Sequence, residues 1–391
     1  MAANQQQGLE EQTEQAITDL SAYLTPWGLS DVQAAASGSA LTFLKANEFL
    51  FREKDANGSK NRFLIWAVTG AGKTEMIFPM IQYVLEKGGR AAVATPRRDV
   101  VLELKPRLEK AFPSVKVVTL YGGSEQRWER GELTIATTHQ LMRFRHAFDL
   151  VVIDEIDAFP YHNNPMLQYA AEQVCKPGGA YILLSATPPV ELQRDVKRNR
   201  LPHARVAARF HRHPLPVPRL LRVTSVRQML QQAKLHSRLL EALRHSEARG
   251  AQIFVFVPNI SMVEPMIAML RRSFPGVAVE GTSSKDERRA EKVADFRSTQ
   301  TRMLVTTTIL ERGVTIPKSD VFILDTDAAL FDAAALVQMA GRAGRSQQDP
   351  RGLVYFAARE KNRSQMHAIR QIKEMNALAR KRGHIDDLKK K

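Results

Sequence analysis

Two glycines followed by lysine and threonine, Gly70-Ala71-Gly72-Lys73-Thr74, are residue types that can hold a phosphate. Backbone N–H groups of Gly70, Ala71 and Gly72 can surround the phosphate oxygens at a helix N-terminus, where the dipole favours negative charge. The Lys73 ammonium can reach the outer phosphates, and the Thr74 hydroxyl can hold Mg2+. The usual cradle opens with a glycine six residues before its lysine, and here that position is Ala67. A small residue at a strand end can suffice there, because the two inner glycines are where backbone must approach phosphate. Asp154-Glu155 supplies the complementary chemistry, directly after the apolar run Leu150-Val151-Val152-Ile153. Asp154 suits Mg2+, held through a water, and Glu155 suits polarisation of the attacking water. A carboxylate pair that caps the next helix is the plain alternative. It is weakened by the phosphate loop upstream. Arg342 and Arg345, in "QMAGRAGR", stand three apart at a predicted helix start, which puts both guanidiniums on one side. They could stabilise charge on the γ-phosphate as arginine fingers, provided two domains close on ATP. A nucleic-acid phosphate contact or a surface pair would use the same residues.

The elements that must position these groups alternate between short β-rich runs and amphipathic segments. Strands are expected over 63–68, 91–94, 115–120, 133–136, 150–153 and 181–184, then over 252–257, 277–280, 303–306, 321–324 and 353–356. Strand–helix alternation at this spacing predicts parallel sheets with helices on both faces. The prolines of "HPLPVPRL" break the pattern near residue 214. The expected division is a polar segment over 1–25, one α/β domain over 26–213, a second over 214–360, and a basic helix and tail over 361–391. Parallel sheets bind ligands at the carboxyl ends of their strands, and each chemical segment follows a predicted strand.

Composition sets the class. With 391 residues, 44% hydrophobic and 25% charged, the chain has material for two or three packed domains. No apolar run approaches the roughly 18 residues of a membrane span. The polar start "MAANQQQGLEEQTEQ" lacks the order of a secretory signal. A single cysteine, Cys175, leaves no internal disulfide and no thiolate zinc cluster, and a reducing, cytoplasmic setting fits. The net charge of +16 is uneven: residues 1–213 hold 26 basic and 23 acidic side chains, and residues 214–391 hold 31 and 18. A polyanion such as nucleic acid is the natural partner of such a half, although a solvated basic helix fits the same count.

The segments together resemble superfamily 2 helicases and translocases. They run "LSDVQ", "AVTGAGKTE", "ATPRRD", "TTHQL", "DEID", "SATPP", "FVPN", "TTTILERGV" and "QMAGRAGR", in that order over most of the chain. The resemblance implies two tandem RecA-like α/β domains with parallel sheets and an ATP site in the cleft between them. It implies that Gln33 recognises adenine and that Thr69 through Glu75, including Gly70, Ala71, Gly72, Lys73 and Thr74, hold the nucleotide. It gives Lys73, Asp154, Glu155, Gln338, Arg342 and Arg345 the catalysis, with Gly313 completing the nucleotide site. Thr74 and Asp154 would hold Mg2+. Ser185 and Thr187 would couple hydrolysis to domain movement. Thr95, Arg97, Thr138, Asn259 and Thr307 would lie on the strand-binding face.

Within the superfamily, "WAVTGAGKTEMIFPMI" and "VVIDEIDAFPY" resemble the ComFA family of late-competence ATPases. That likeness implies single-stranded DNA as substrate, a cytoplasmic place at a membrane DNA-uptake complex, and partners such as ComFC and DprA. The chain departs from the pattern in places. ComFA proteins usually carry a four-cysteine zinc site before the motor, and no zinc is expected with one cysteine. Ile156 replaces the alanine of the DEAD and DEAH patterns, and Thr308 stands where many relatives are acidic. The aromatic segment that precedes the glutamine in DEAD-box RNA helicases is not clear, which weakens an RNA substrate.

The expected function is therefore an ATP- and Mg2+-dependent single-stranded DNA translocase that drives DNA uptake. A PriA-like replication-restart or repair helicase is one alternative, and an ATP-gated DNA clamp or scaffold is another. Trp128, in a polar stretch, could stack a base or simply pack on the surface. His211 and His213 have no third ligand near them in sequence, so no metal is expected there.

Overall fold

The computed structural model of the chain describes residues 20–47, 61–283, 285–307, 316–347 and 349–385. The chain divides into two units, Met1–Val206 and Ala207–Lys391. The proline run that the sequence marks near residue 214 lies inside the second unit. There the Leu215 N–H donates to Asn376 Oδ1 at 2.8 Å and the Asn376 amide donates to the Leu215 carbonyl at 2.9 Å.

The first unit is a seven-stranded sheet. Its strands are β1 (Arg62–Ala67), β2 (Ala91–Thr95), β3 (Val117–Leu120), β4 (Leu133–Thr137), β5 (Phe148–Asp154), β6 (Cys175–Ser185) and β7 (His203–Val206). Their order across the sheet is β3-β4-β2-β5-β6-β1-β7, and every pairing is parallel. Parallel sheets must be covered on both faces, so the central strands read as unbroken apolar runs. β2 and β4 are buried at every position. The helices are α1 (Asp31–Asn47), α2 (Lys73–Glu86), α3 (Arg98–Ala111), α4 (Pro165–Gln173) and α5 (Val190–Lys197). Helix α1 packs against α2, and α2 packs against β5.

The second unit repeats the architecture with six strands: β8 (Arg219–Arg222), β9 (Gln252–Phe256), β10 (Val279–Thr282), β11 (Met303–Thr306), β12 (Ser319–Leu324) and β13 (Val354–Ala358). Their order is β10-β11-β9-β12-β13-β8, again parallel throughout. Its helices are α6 (Val226–Gln231), α7 (Ser237–Ala248), α8 (Val263–Ser273), α9 (Arg289–Arg297), α10 (Ala333–Ala340) and α11 (Arg363–Lys381). Helix α11 packs on α10 and opens with a capping box formed by Asn362 and Gln365. Its apolar positions, Ile369, Ile372 and Met375, are buried. Among the described residues, no helix is long and apolar enough to cross a membrane.

Two strands depart from the expected set. β7 reads "HARV" and β8 reads "RLLR", and neither carries the apolar run that marked the others. Each is the last strand on one edge of its sheet. An edge strand is covered less completely, so its sequence tolerates charge.

Candidate active site

The phosphate loop is built by a strand that stops and a helix that starts five residues later. β1 ends at Ala67, in register with Val206 of β7. Ala67 is fully buried and is not among the residues with positive φ. It is an ordinary last strand residue, and the local geometry does not demand glycine there. Gly70 and Gly72 do need their freedom, with φ of 81° and 74°. A Cβ on Gly72 would also lie 2.4 Å from Gln33 Nε2.

Helix α2 begins at Lys73 with Gly72 as N-cap, and no side chain caps it. The first bond of the helix runs from the Met76 N–H to the Gly72 carbonyl at 3.4 Å. The N–H groups of Lys73, Thr74 and Glu75 therefore have no partner inside the helix. Among the described residues, no hydrogen bond or ion pair takes up the Lys73 ammonium or the Thr74 hydroxyl. An uncapped helix end, a cation and a hydroxyl at one turn fit a polyphosphate with Mg2+, whose hard oxygen preference suits Thr74 and a carboxylate.

Gln33 braces this loop. Its Nε2 donates to the Ala71 carbonyl at 2.9 Å and the Gly72 carbonyl at 3.3 Å, and its Oε1 accepts from the Ser30 N–H at 2.9 Å. The Ser37 hydroxyl ties α1 to α2 through the Met76 carbonyl at 2.8 Å. Glu75 is ion-paired with Arg107 of α3. Thr69 is buried within the turn.

Sheet order brings the remaining groups to this loop. β6 lies between β1 and β5, with Ile65 and Asp154 both in register with Leu184. Two strand spacings, about 9–10 Å, thus separate the end of β1 from Asp154. The Glu155 N–H donates to the Leu184 carbonyl at 3.0 Å and the Ile156 N–H to the same oxygen at 3.4 Å. Glu155 is 9% exposed and has a φ of 61°. A left-handed non-glycine residue costs on the order of 1 kcal/mol. It also breaks the strand alternation that would send consecutive side chains to opposite faces.

Asp157, which the pattern reading passed over, binds both serine and threonine of the "SAT" segment. Ser185 Oγ donates to Asp157 Oδ1 at 2.6 Å, and Thr187 Oγ1 donates to Asp157 Oδ2 at 2.6 Å. The Thr187 N–H closes the ring by donating to Ser185 Oγ at 2.9 Å. Its signal in the sequence is its place as the last acid of "DEID".

In the second unit the arginine segment differs from expectation. α10 ends at Ala340 with Gly341 as its C-cap, so Arg342 and Arg345 follow a helix end rather than open a helix. Gln338 lies within α10 and is buried. Arg342 is 1% exposed, and its carbonyl accepts from Ser319 Oγ at 2.9 Å. Arg345 is half-buried and folds back, with its Nε donating to the Gly341 carbonyl at 2.9 Å.

The strand-face residues divide by exposure. Thr95 ends β2 and Thr138 follows β4, and both are fully buried. Arg97 is half-buried at the N-cap of α3. Asn259 is exposed, and its Oδ1 accepts from the Ser261 N–H at 3.0 Å. Thr307 is buried after β11. Gly313 and Thr308 lie outside the described residues. Trp128 is 84% exposed, with the Arg143 guanidinium 5.1 Å from its ring centre.

The first unit matches the DEAD/DEAH box helicase family over residues 54–195, and the second matches the helicase conserved C-terminal domain over residues 234–347. The fold is similar to that of a leucine-to-valine variant of Dbp5 from S. cerevisiae, solved with RNA and ADP BeF3. That likeness has a TM-score of 0.61 at 14% identity and covers 90% of this chain and 93% of that one. Fold and site together define a superfamily 2 helicase-like ATPase with two parallel-sheet α/β domains. The chain is 43% identical to competence protein ComFA of Bacillus subtilis (strain 168), over 84% of its own length and 70% of that protein. It is 38% identical to competence protein ComFA of Streptococcus pneumoniae, over 83% and 76%. The chain belongs to the ComFA family and is a competence-related, helicase-like ATPase.

Proposed function

We propose that the protein is an ATP-driven translocase on single-stranded DNA that powers DNA uptake in competence. The observation that carries this reading is the convergence of three segments at the ends of neighbouring strands. An uncapped phosphate loop follows β1, an acidic pair follows β5, and a serine–threonine pair tied to Asp157 follows β6. Lys73 and the first-turn N–H groups of α2 bind the phosphates. Thr74 and Asp154 would hold Mg2+, which would supply positive charge to the phosphoryl oxygens. Glu155 orients the attacking water and takes its proton. Arg345 and Arg342 of the second domain meet the charge that develops on the γ-phosphate, with Gln338 beside them in α10. The strand lies along the basic second domain, which carries most of the net charge, so binding weakens steeply with salt. The same proposal includes a place at a membrane DNA-uptake complex and partners such as ComFC and DprA, a reading supported by the likeness to competence proteins.

The test is steady-state ATP hydrolysis at one stated salt concentration, with no polymer, single-stranded DNA, duplex DNA or RNA. Stimulation of about tenfold or more by single-stranded DNA alone is expected. Equal stimulation by RNA would move the substrate to RNA, and no stimulation by any polymer would favour a clamp. Robust unwinding of a forked duplex would instead favour a replication-restart helicase.

Asp157 is proposed to carry coupling between the acidic pair and the polymer. Replacing Asp157 with alanine removes the acceptor of two short hydroxyl bonds. Charged hydrogen bonds contribute about 1.5–3 kcal/mol each, so a loss of one order of magnitude or more in coupling is expected. DNA-stimulated turnover should fall about tenfold or more, while basal turnover stays within about threefold. An equal fall in both rates would show that Asp157 serves hydrolysis alone.

A further inference from the structure

The segment 341–345, which carries both arginines, is held by side chains from more than 130 positions away. Three of its N–H groups are satisfied by α10: Gly341 donates to Val337 O at 2.9 Å, Arg342 to Met339 O at 3.0 Å and Ala343 to Ala340 O at 3.2 Å. Its carbonyls, at a helix C-terminus, have no donor inside the helix. Arg209 provides them. Its Nη1 donates to the Ala343 carbonyl at 2.8 Å and closely to the Gly344 carbonyl, and its Nη2 donates to the Gly341 carbonyl at 3.2 Å. His211 Nε2 adds a second bond to Gly344 O at 3.1 Å. His211 Nδ1 accepts from the His213 N–H at 3.2 Å, so Nε2 carries the ring proton. The far side of the segment is closed as well. Gly344 has φ 61°, and a Cβ there would lie 2.5 Å from the Pro350 carbonyl.

Arg209 is 2% exposed, and among the described residues its hydrogen bonds go only to backbone carbonyls. No carboxylate neutralises it among those residues. Burial, and then the nearby Arg345 charge, lower its pKa to about 9, which still leaves it cationic at neutral pH. Burial and the Arg209 charge hold the His211 pKa down at about 4, so its ring is neutral there and Nδ1 remains an acceptor. A buried cation at a helix C-terminus opposes the negative end of the helix dipole. The remaining positive potential acts on Arg345 and favours an anion brought to it.

We infer that Arg209, aided by His211, is a positioning residue for ATP hydrolysis: its planar fork fixes the carbonyls of 341–344 and so sets where Arg345 stands when nucleotide charge develops. A lysine cannot take this place, because one ammonium lacks the fixed spacing of a guanidinium fork. The inference rests on the reading that Arg345 acts on the nucleotide.

The experiment is a double-mutant cycle on MgATP turnover by the full chain, with Arg209→Met, Arg345→Ala and the double variant. Affinities for ADP and for ADP with aluminium fluoride are measured alongside. Misplacing a reacting group by about 1 Å costs on the order of 100-fold in rate. Arg209→Met is therefore expected to lower kcat by about 30- to 100-fold with KM for ATP within about threefold. ADP affinity should be unchanged, and affinity for the fluoride complex should fall by the same factor as kcat. The double variant should be no slower than Arg345→Ala alone, because both changes remove one function. Arg209→Lys should fail to restore the rate.

If Arg345→Ala leaves kcat unchanged, the arginine-finger reading fails. If Arg345→Ala lowers kcat but Arg209→Met does not, or if the two losses multiply, the positioning role is overturned while the finger stands. Where Arg209→Met does not fold, His211→Ala is put through the same cycle. It should lower kcat by about three- to tenfold, again without adding to Arg345→Ala. A multiplying loss or an unchanged rate in that cycle would equally overturn the role.

Discussion

Replacing Lys73 with alanine is expected to lower ATP turnover by about 10³-fold or more, with the protein still folded and still bound to DNA. The size follows from the proposed role: one preorganised donor facing developing charge contributes about 10²–10³ in rate, and a full cation proposed to face the outer phosphates would contribute at least that. The stability expectation follows from the surroundings. Lys73 is half-buried, and among the described residues no hydrogen bond or ion pair holds its ammonium, so its removal breaks no internal contact of that group. It also lies in the first turn of α2, where alanine is a good helix former. The melting temperature should therefore move by no more than about 2 °C, in keeping with a change within about 0.5 kcal/mol. Phosphate release and thermal melting measured on the same preparation check both halves. Turnover within threefold of the parent would remove this loop from the mechanism.

Replacing Glu155 with glutamine is the second large effect. In the proposed mechanism Glu155 takes the proton of the attacking water, and the amide keeps the length and shape of the carboxylate but cannot accept that proton. General bases of this kind contribute about 10²–10⁴-fold, so a loss of at least 100-fold in kcat is expected. Binding should persist, because Lys73, Thr74 and the N–H groups at the start of α2 are untouched. The variant should hold ATP together with DNA long enough to isolate the complex. The backbone should accept the change, since glutamine and glutamate bear the same constraint at the φ of 61°. Single-turnover hydrolysis with labelled ATP measures this directly. Rapid product formation in the first turnover would move the proton-accepting role to another group.

What could be read from the chain alone was what depends on neighbours in sequence. A strand, two glycines, lysine and threonine specify a loop that enters a helix, because glycine geometry and helix termini are local properties. α2 begins at Lys73, as that reading requires. The central strands declared themselves as apolar runs, since a buried parallel strand has no polar face. Edge strands β7 and β8 gave no such signal, being short, partly exposed and charged.

The tertiary structure decided which residues meet. Asp157 faces Ser185 and Thr187 because β5 and β6 are neighbours, which follows from strand order and not from the acidic pattern itself. Gln33 reaches the phosphate loop 38 residues on because α1 packs against α2. Arg342 and Arg345 follow a helix end, where open carbonyls need donors, and Arg209 supplies them from 132 to 135 positions away. Periodicity and turn chemistry act over a few residues, so they specify elements. Contacts between groups dozens of residues apart depend on how the sheets order those elements, and no local pattern records that order.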